Sequence, residues 1–78
     1  MMMLTIRDLK VGDTVRLLSF GLTDGAYRRR LLSFGMTPGA QVQLIRRAPL
    51  GCPVQLLVRG ASLILREDDV ALVQWEYA

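Results

Sequence analysis

Histidine is absent from this 78-residue chain, and cysteine occurs once, at Cys52. One thiol cannot close an intramolecular disulfide, and without histidine it makes no recognisable zinc site, so the two common staples of small folds are excluded. The same absence removes Ser-His and Cys-His nucleophile pairs and the usual near-neutral general base, which speaks against hydrolytic catalysis. Lysine is reduced to Lys10, and aromatic residues make up 6% of the chain. No apolar run approaches the ~20 residues that span a bilayer. Neither a Gly-x-x-x-x-Gly-Lys-Ser/Thr loop nor a strand followed by Gly-x-Gly-x-x-Gly occurs, so no phosphate cradle is expected. The segment Met1 to Asp8 lacks the basic and apolar regions of a secretory signal. A reduced, cytoplasmic protein follows.

Hydrophobic types account for 51% of the residues and the formal net charge is +3. A chain this short buries about 60% of its unfolded surface, so its apolar residues must be used densely, in a single domain over residues 1–78. Leu4 to Gly12 is a short lead-in, and Thr14 to Phe20 alternates as a strand. Thr23 or Asp24 caps one helix whose apolar stripe is Tyr27, Leu31 and Phe34, ended by Gly35. Thr37-Pro38-Gly39-Ala40 is a type II turn signal, with proline presetting the first φ and glycine accepting the positive second one.

Further strands are expected over Gln41 to Arg47, from Val54 to Val58, and over Ser62 to Leu65. Arg59-Gly60-Ala61 forms the tight hairpin, and Pro49 and Pro53 interrupt the loop before it. Glu67-Asp68-Asp69 marks a turn, and a last strand runs from Val70 to Glu76 with Ala71, Val73 and Trp75 on one face. Five short strands and one helix after the first give a mainly β fold, a closed or nearly closed antiparallel barrel. The near-repeat of residues 17–26 in residues 31–40 is too short an offset for a stacking repeat and is a local duplication.

Three groups of residues could carry chemistry. The carboxylates at Glu67, Asp68 and Asp69 lack the spacing of a calcium loop and solvate their turn. Cys52 alone makes a weak site for soft metals. The positive charge rests on nine arginines, with Arg28-Arg29-Arg30 on the helix, while Phe20, Tyr27 and Phe34 fall at core positions rather than among them. That separation disfavours a nucleic-acid footprint, and arginine forks suit the carboxylates of an acidic protein surface equally well.

The order of signals is more specific than its parts: Arg30-Leu31-Leu32, Phe34-Gly35-Met36-Thr37-Pro38-Gly39, Arg47-Ala48-Pro49-Leu50-Gly51, Pro53, Val58-Arg59-Gly60 and Leu63-Ile64-Leu65-Arg66. In this the chain resembles the FeoA family of bacterial ferrous iron uptake. The resemblance implies an SH3-like β-barrel with a helix after its first strand. It also implies a non-catalytic cytoplasmic accessory protein that docks on the GTP-binding domain or another cytosolic surface of the FeoB ferrous iron transporter and reaches the inner membrane, if at all, through that partner. One departure is Cys52, where the family often has Asp.

No cofactor, metal or nucleic acid is expected, and self-association through Leu57 and Ile64 is compatible with this role. The candidate docking residues are Arg28, Arg29, Arg46, Arg47, Leu50 and Leu57. Gly35, Pro38, Gly39, Pro49, Gly51 and Gly60 are assigned to turns. The rival readings are the SH3-like domain of DtxR-type iron-dependent repressors and a free basic nucleic-acid-binding barrel, whose affinity would fall steeply with salt.

Overall fold

The computed structural model describes residues 4–49 and 53–78. Five antiparallel strands form one sheet in the order β4-β3-β2-β1-β5: β1 Thr14–Ser19, β2 Gln41–Arg47, β3 Val54–Val58, β4 Ala61–Leu65 and β5 Gln74–Tyr77. The one α-helix among the described residues, α1, spans Gly25–Ser33 between β1 and β2. Alternation sends Val15 and Leu17, Val42 and Leu44, and Val54, Leu56 and Val58 to one face, where they are buried. Among the described residues no polar or charged residue is buried.

Two β-bulges bend the sheet around this core. One lies at Leu18, between the pairs Leu17↔Trp75 and Ser19↔Gln74, and the other at Ile45, between Leu44↔Leu56 and Arg46↔Gln55. The second shifts the alternation by one residue, so Ile45 and Arg46 both face outward and Arg47, opposite the buried Val54, turns toward the core rim.

β4 and β5 are the two ends of the sheet and do not pair with each other, so the barrel is nearly closed rather than closed. The lead-in covers the β5 edge. Leu4 and Trp75 exchange both backbone hydrogen bonds at 2.9 Å, and Leu4, Ile6 and Leu9 drop into the core around the fully buried Trp75. A 3-10 turn at Ile6–Asp8 follows, where the Asp8 carboxylate accepts the Thr5 N–H at 2.8 Å.

Asp24 caps α1 by accepting the Ala26 N–H at 3.3 Å, and the helix ends in a Schellman motif. There the Gly35 N–H donates to the Leu32 carbonyl at 3.0 Å and the Met36 N–H to the Leu31 carbonyl at 3.1 Å. Leu31 and Met36 enter the core together. This corrects the expected stripe: Tyr27, near the start of the helix, is 44% exposed, and Phe34 is 37% exposed because the reversal at Gly35 hands the core position of the next turn to Met36. The last strand is also shorter than expected. Glu67–Val70 is a 3-10 turn, and the Val73 N–H returns to the Val70 carbonyl at 3.2 Å. Val70 and Val73 are thus buried three residues apart, with Leu72 exposed, before the strand begins at Gln74.

The two copies of the near-repeat take different structures, one ending β1 and the other ending α1, yet each places its glycine at positive φ, Gly21 at 59° and Gly35 at 91°. At Gly21 a Cβ would collide with the backbone carbonyl of Leu72, whereas at Gly12, also left-handed, nothing stands in the way. Gly12→Ala should therefore cost about 1 kcal/mol from backbone strain alone. Gly21→Ala should cost on the order of 2 kcal/mol or more, since a packed carbonyl must also move. Urea unfolding of the two variants checks the difference, and equal costs would remove the close approach.

Candidate functional site

Two ion pairs are present among the described residues: Arg7 with Glu67 at 2.8 Å and Arg16 with Glu76 at 3.2 Å. The second spans β1 and β5, where the two residues are cross-strand partners. Two further arginines are held by backbone or hydroxyl oxygens. Arg47, re-aimed by the bulge, donates from Nη2 to the Ile6 carbonyl at 2.5 Å and so ties β2 to the lead-in, while its buried Nε has no partner among the described residues. Arg59 sits at φ 51° beside Gly60 at 81° in the two-residue β3–β4 hairpin, a type I′ geometry. From there it reaches the end of α1, donating from Nε to the Gly35 carbonyl at 3.3 Å and from Nη2 to Thr37 Oγ1 at 3.2 Å. A cation at a helix C-terminus is favourably placed for the helix dipole and for the terminal carbonyls.

Arg28, Arg29, Arg30, Arg46 and Arg66 remain, all exposed and without an ion-pair partner among the described residues. They do not share one cavity. Arg30 and Arg66 line a cavity of about 330 Å³ together with Tyr27, Ile64 and Asp69. Arg46 and Arg47 line a second, of about 340 Å³, with Pro49, Pro53 and again Ile64. The half-buried Leu57 belongs elsewhere, in a groove of about 550 Å³ that also includes Gly39, Gln43, Arg59 and Gly60. Arg28 and Arg29 line none of the three. Arg46, Arg47 and Pro49 are therefore brought together, Leu57 lies apart from them, and Leu50, Gly51 and Cys52 lie outside the described residues.

Gly35, Gly39 and Gly60 all adopt positive φ. The Ala40 N–H closes the turn through Pro38 and Gly39 onto the Thr37 carbonyl at 2.9 Å. Ile64, expected only as a self-association residue and not among the candidate docking positions, lines two of these cavities and is 69% exposed. Its parity is nevertheless visible in the sequence, since it lies between the inward Leu63 and Leu65. Glu67, paired with Arg7, and Asp68 and Asp69 occupy the first turn of a short 3-10 segment, and no group of metal-ligating side chains assembles among the described residues. No helix among them is long and apolar enough to cross a membrane.

A curled five-stranded antiparallel sheet with one short helix after its first strand is an SH3-like domain, here one with five exposed arginines that make no ion pair among the described residues. The FeoA domain family matches residues 4–76, and the chain belongs to that family. Its role accordingly lies in ferrous iron transport, in a family linked with the FeoB transporter.

The FeoA protein of Chlorobium tepidum shares 30% identity at a TM-score of 0.86, over 95% of this chain and 70% of that one. An iron uptake regulatory protein (FeoA) shares 25% identity at a TM-score of 0.85, over 99% of this chain and 100% of that one. The IdeR protein of T. acidophilum reaches a TM-score of 0.86 at 18% identity, with all of this chain covering 35% of that one. That likeness concerns the fold alone.

The contrast between neighbouring arginines gives a direct check. Arg47→Ala should destabilise by about 1–2 kcal/mol, losing its bond to the Ile6 carbonyl and the packing of its stem. Arg46→Ala should stay within about 0.5 kcal/mol, as an exposed side chain with no ion-pair partner among the described residues. Thermal unfolding of both variants measures this.

Proposed function

We propose that this single-domain protein is a non-catalytic accessory of bacterial ferrous iron uptake that docks from the cytoplasm on a cytoplasmic surface of FeoB. The observation that carries the reading is the FeoA domain match over residues 4–76. It is supported by five exposed arginines without carboxylate partners among the described residues. Guanidinium forks pair carboxylates in two parallel hydrogen bonds, so such a surface suits an acidic protein face. Docking changes the transporter's GTP cycle or its assembly only insofar as the protein binds two transporter states with different affinity. Any presence at the membrane comes through the partner.

Arg28 and Arg29 are exposed and line none of the three cavities described, which suits the rim of such an interface, where charge sets encounter rate and salt dependence. Reversing both, Arg28→Glu with Arg29→Glu, should weaken binding to the intact transporter in nanodiscs roughly tenfold, about 1.4 kcal/mol. The unfolding midpoint should not change. Biolayer interferometry at two salt concentrations measures the affinity. Unchanged binding removes the helix face from the interface, and wild-type protein that does not bind the transporter at all contradicts the proposed function.

A further inference from the structure

The two ends of the sheet are finished differently. β5 is covered by the lead-in through Leu4, but among the described residues no strand pairs with the outer edge of β4. The hairpin loop has two residues, so its flanking pair Val58 and Ala61 exchange both hydrogen bonds, as do Leu56 with Leu63 and Val54 with Leu65. The backbone N–H and C=O groups of Ser62 and Ile64 consequently point to the open side. Proteins ordinarily blunt such an edge with lysine, proline, a bulge or an inward charge. β4 reads Ala-Ser-Leu-Ile-Leu and carries none of these.

The surroundings of the edge indicate what it takes. Ile64 offers an apolar side chain, 69% exposed, between the two cavities. Arg30 and Arg66 lie in one of them and Arg46 in the other, with Asp69 as the opposing charge. A second copy of this chain, itself at net charge +3, would bring the same arginines against these, which like-charge repulsion disfavours.

We propose that the β4 edge docks an extended acidic segment of a partner protein as a sixth strand. Its backbone pairs with Ser62 and Ile64, its carboxylates meet Arg30, Arg46 and Arg66, and an apolar side chain covers Ile64. The inference rests on the proposed docking to the transporter and specifies its mode.

Amide-resolved hydrogen exchange of the protein, free and with the intact transporter in nanodiscs, tests it. In the free protein the Ser62 and Ile64 amides should exchange fast while Leu63 and Leu65, bonded to β3, exchange slowly. Binding should slow Ser62 and Ile64 at least tenfold, and Arg30→Glu with Arg66→Glu should weaken binding at least tenfold. The exposed substitution Ile64→Lys should do the same with the fold intact. A complex that forms while Ser62 and Ile64 still exchange fast overturns the edge mode and leaves docking standing. Absence of any complex overturns both. Slowing in the protein alone as its concentration rises assigns the edge to a second copy and overturns the acidic occupant.

Discussion

A chain with no disulfide and one cluster of buried side chains has to wrap a single sheet face around its own interior, and the bulges at Leu18 and Ile45 are what make the wrap possible. A flat five-stranded sheet would leave Trp75 facing water. Bent at two places, it encloses Trp75, and the lead-in seals one end through the paired hydrogen bonds of Leu4 and Trp75. The bulge at Ile45 has a second consequence. By shifting the alternation, it puts Ile45 and Arg46 side by side on the outside and turns Arg47 to the rim, so the feature that shapes the core also arranges part of the surface.

Much of this was legible in the residues. Period-two alternation located Val42, Leu44, Val54, Leu56 and Val58, and the Pro38-Gly39 and Arg59-Gly60 signals fall where the chain reverses. Ordered motifs from Tyr27 to Trp75 pointed to the family whose domain matches residues 4–76. What escaped depends on tertiary geometry. A bulge has no residue signature at Ile45, so the inward turn of Arg47 was not foreseeable. Tyr27 and Phe34 have helical spacing, but the Schellman reversal at Gly35 gives the place expected for Phe34 to Met36, and Tyr27 is exposed at the start of the helix. Val70 and Val73 sit three apart, the period of a 3-10 turn, and an alternating reading merged them into the strand. The candidate docking positions were drawn from exposed residue types, and types alone did not place Ile64 between two cavities or separate Leu57 from Arg46.

The arginines divide into two populations that amino-acid type cannot distinguish. Arg7, Arg16, Arg47 and Arg59 tie segments distant in sequence to one another through Glu67, Glu76, the Ile6 carbonyl and the end of α1. Arg28, Arg29, Arg30, Arg46 and Arg66 make no ion pair among the described residues. Exposed ion pairs add little to stability in any case, so the second group has little bearing on the fold and is free to serve recognition. The arginines thus divide between those that hold the fold together, Arg7, Arg16, Arg47 and Arg59, and those unpaired among the described residues, which are the ones proposed to meet the partner.

Ferrous iron uptake by cells in which only Arg28, Arg29, Arg30, Arg46 and Arg66 are each replaced by glutamine tests that division most directly. Glutamine keeps a polar side chain at these positions and removes the charge. The variant should accumulate to the wild-type level, and uptake should fall to that of cells lacking the protein. Uptake at the wild-type rate with all five charges removed would contradict that division.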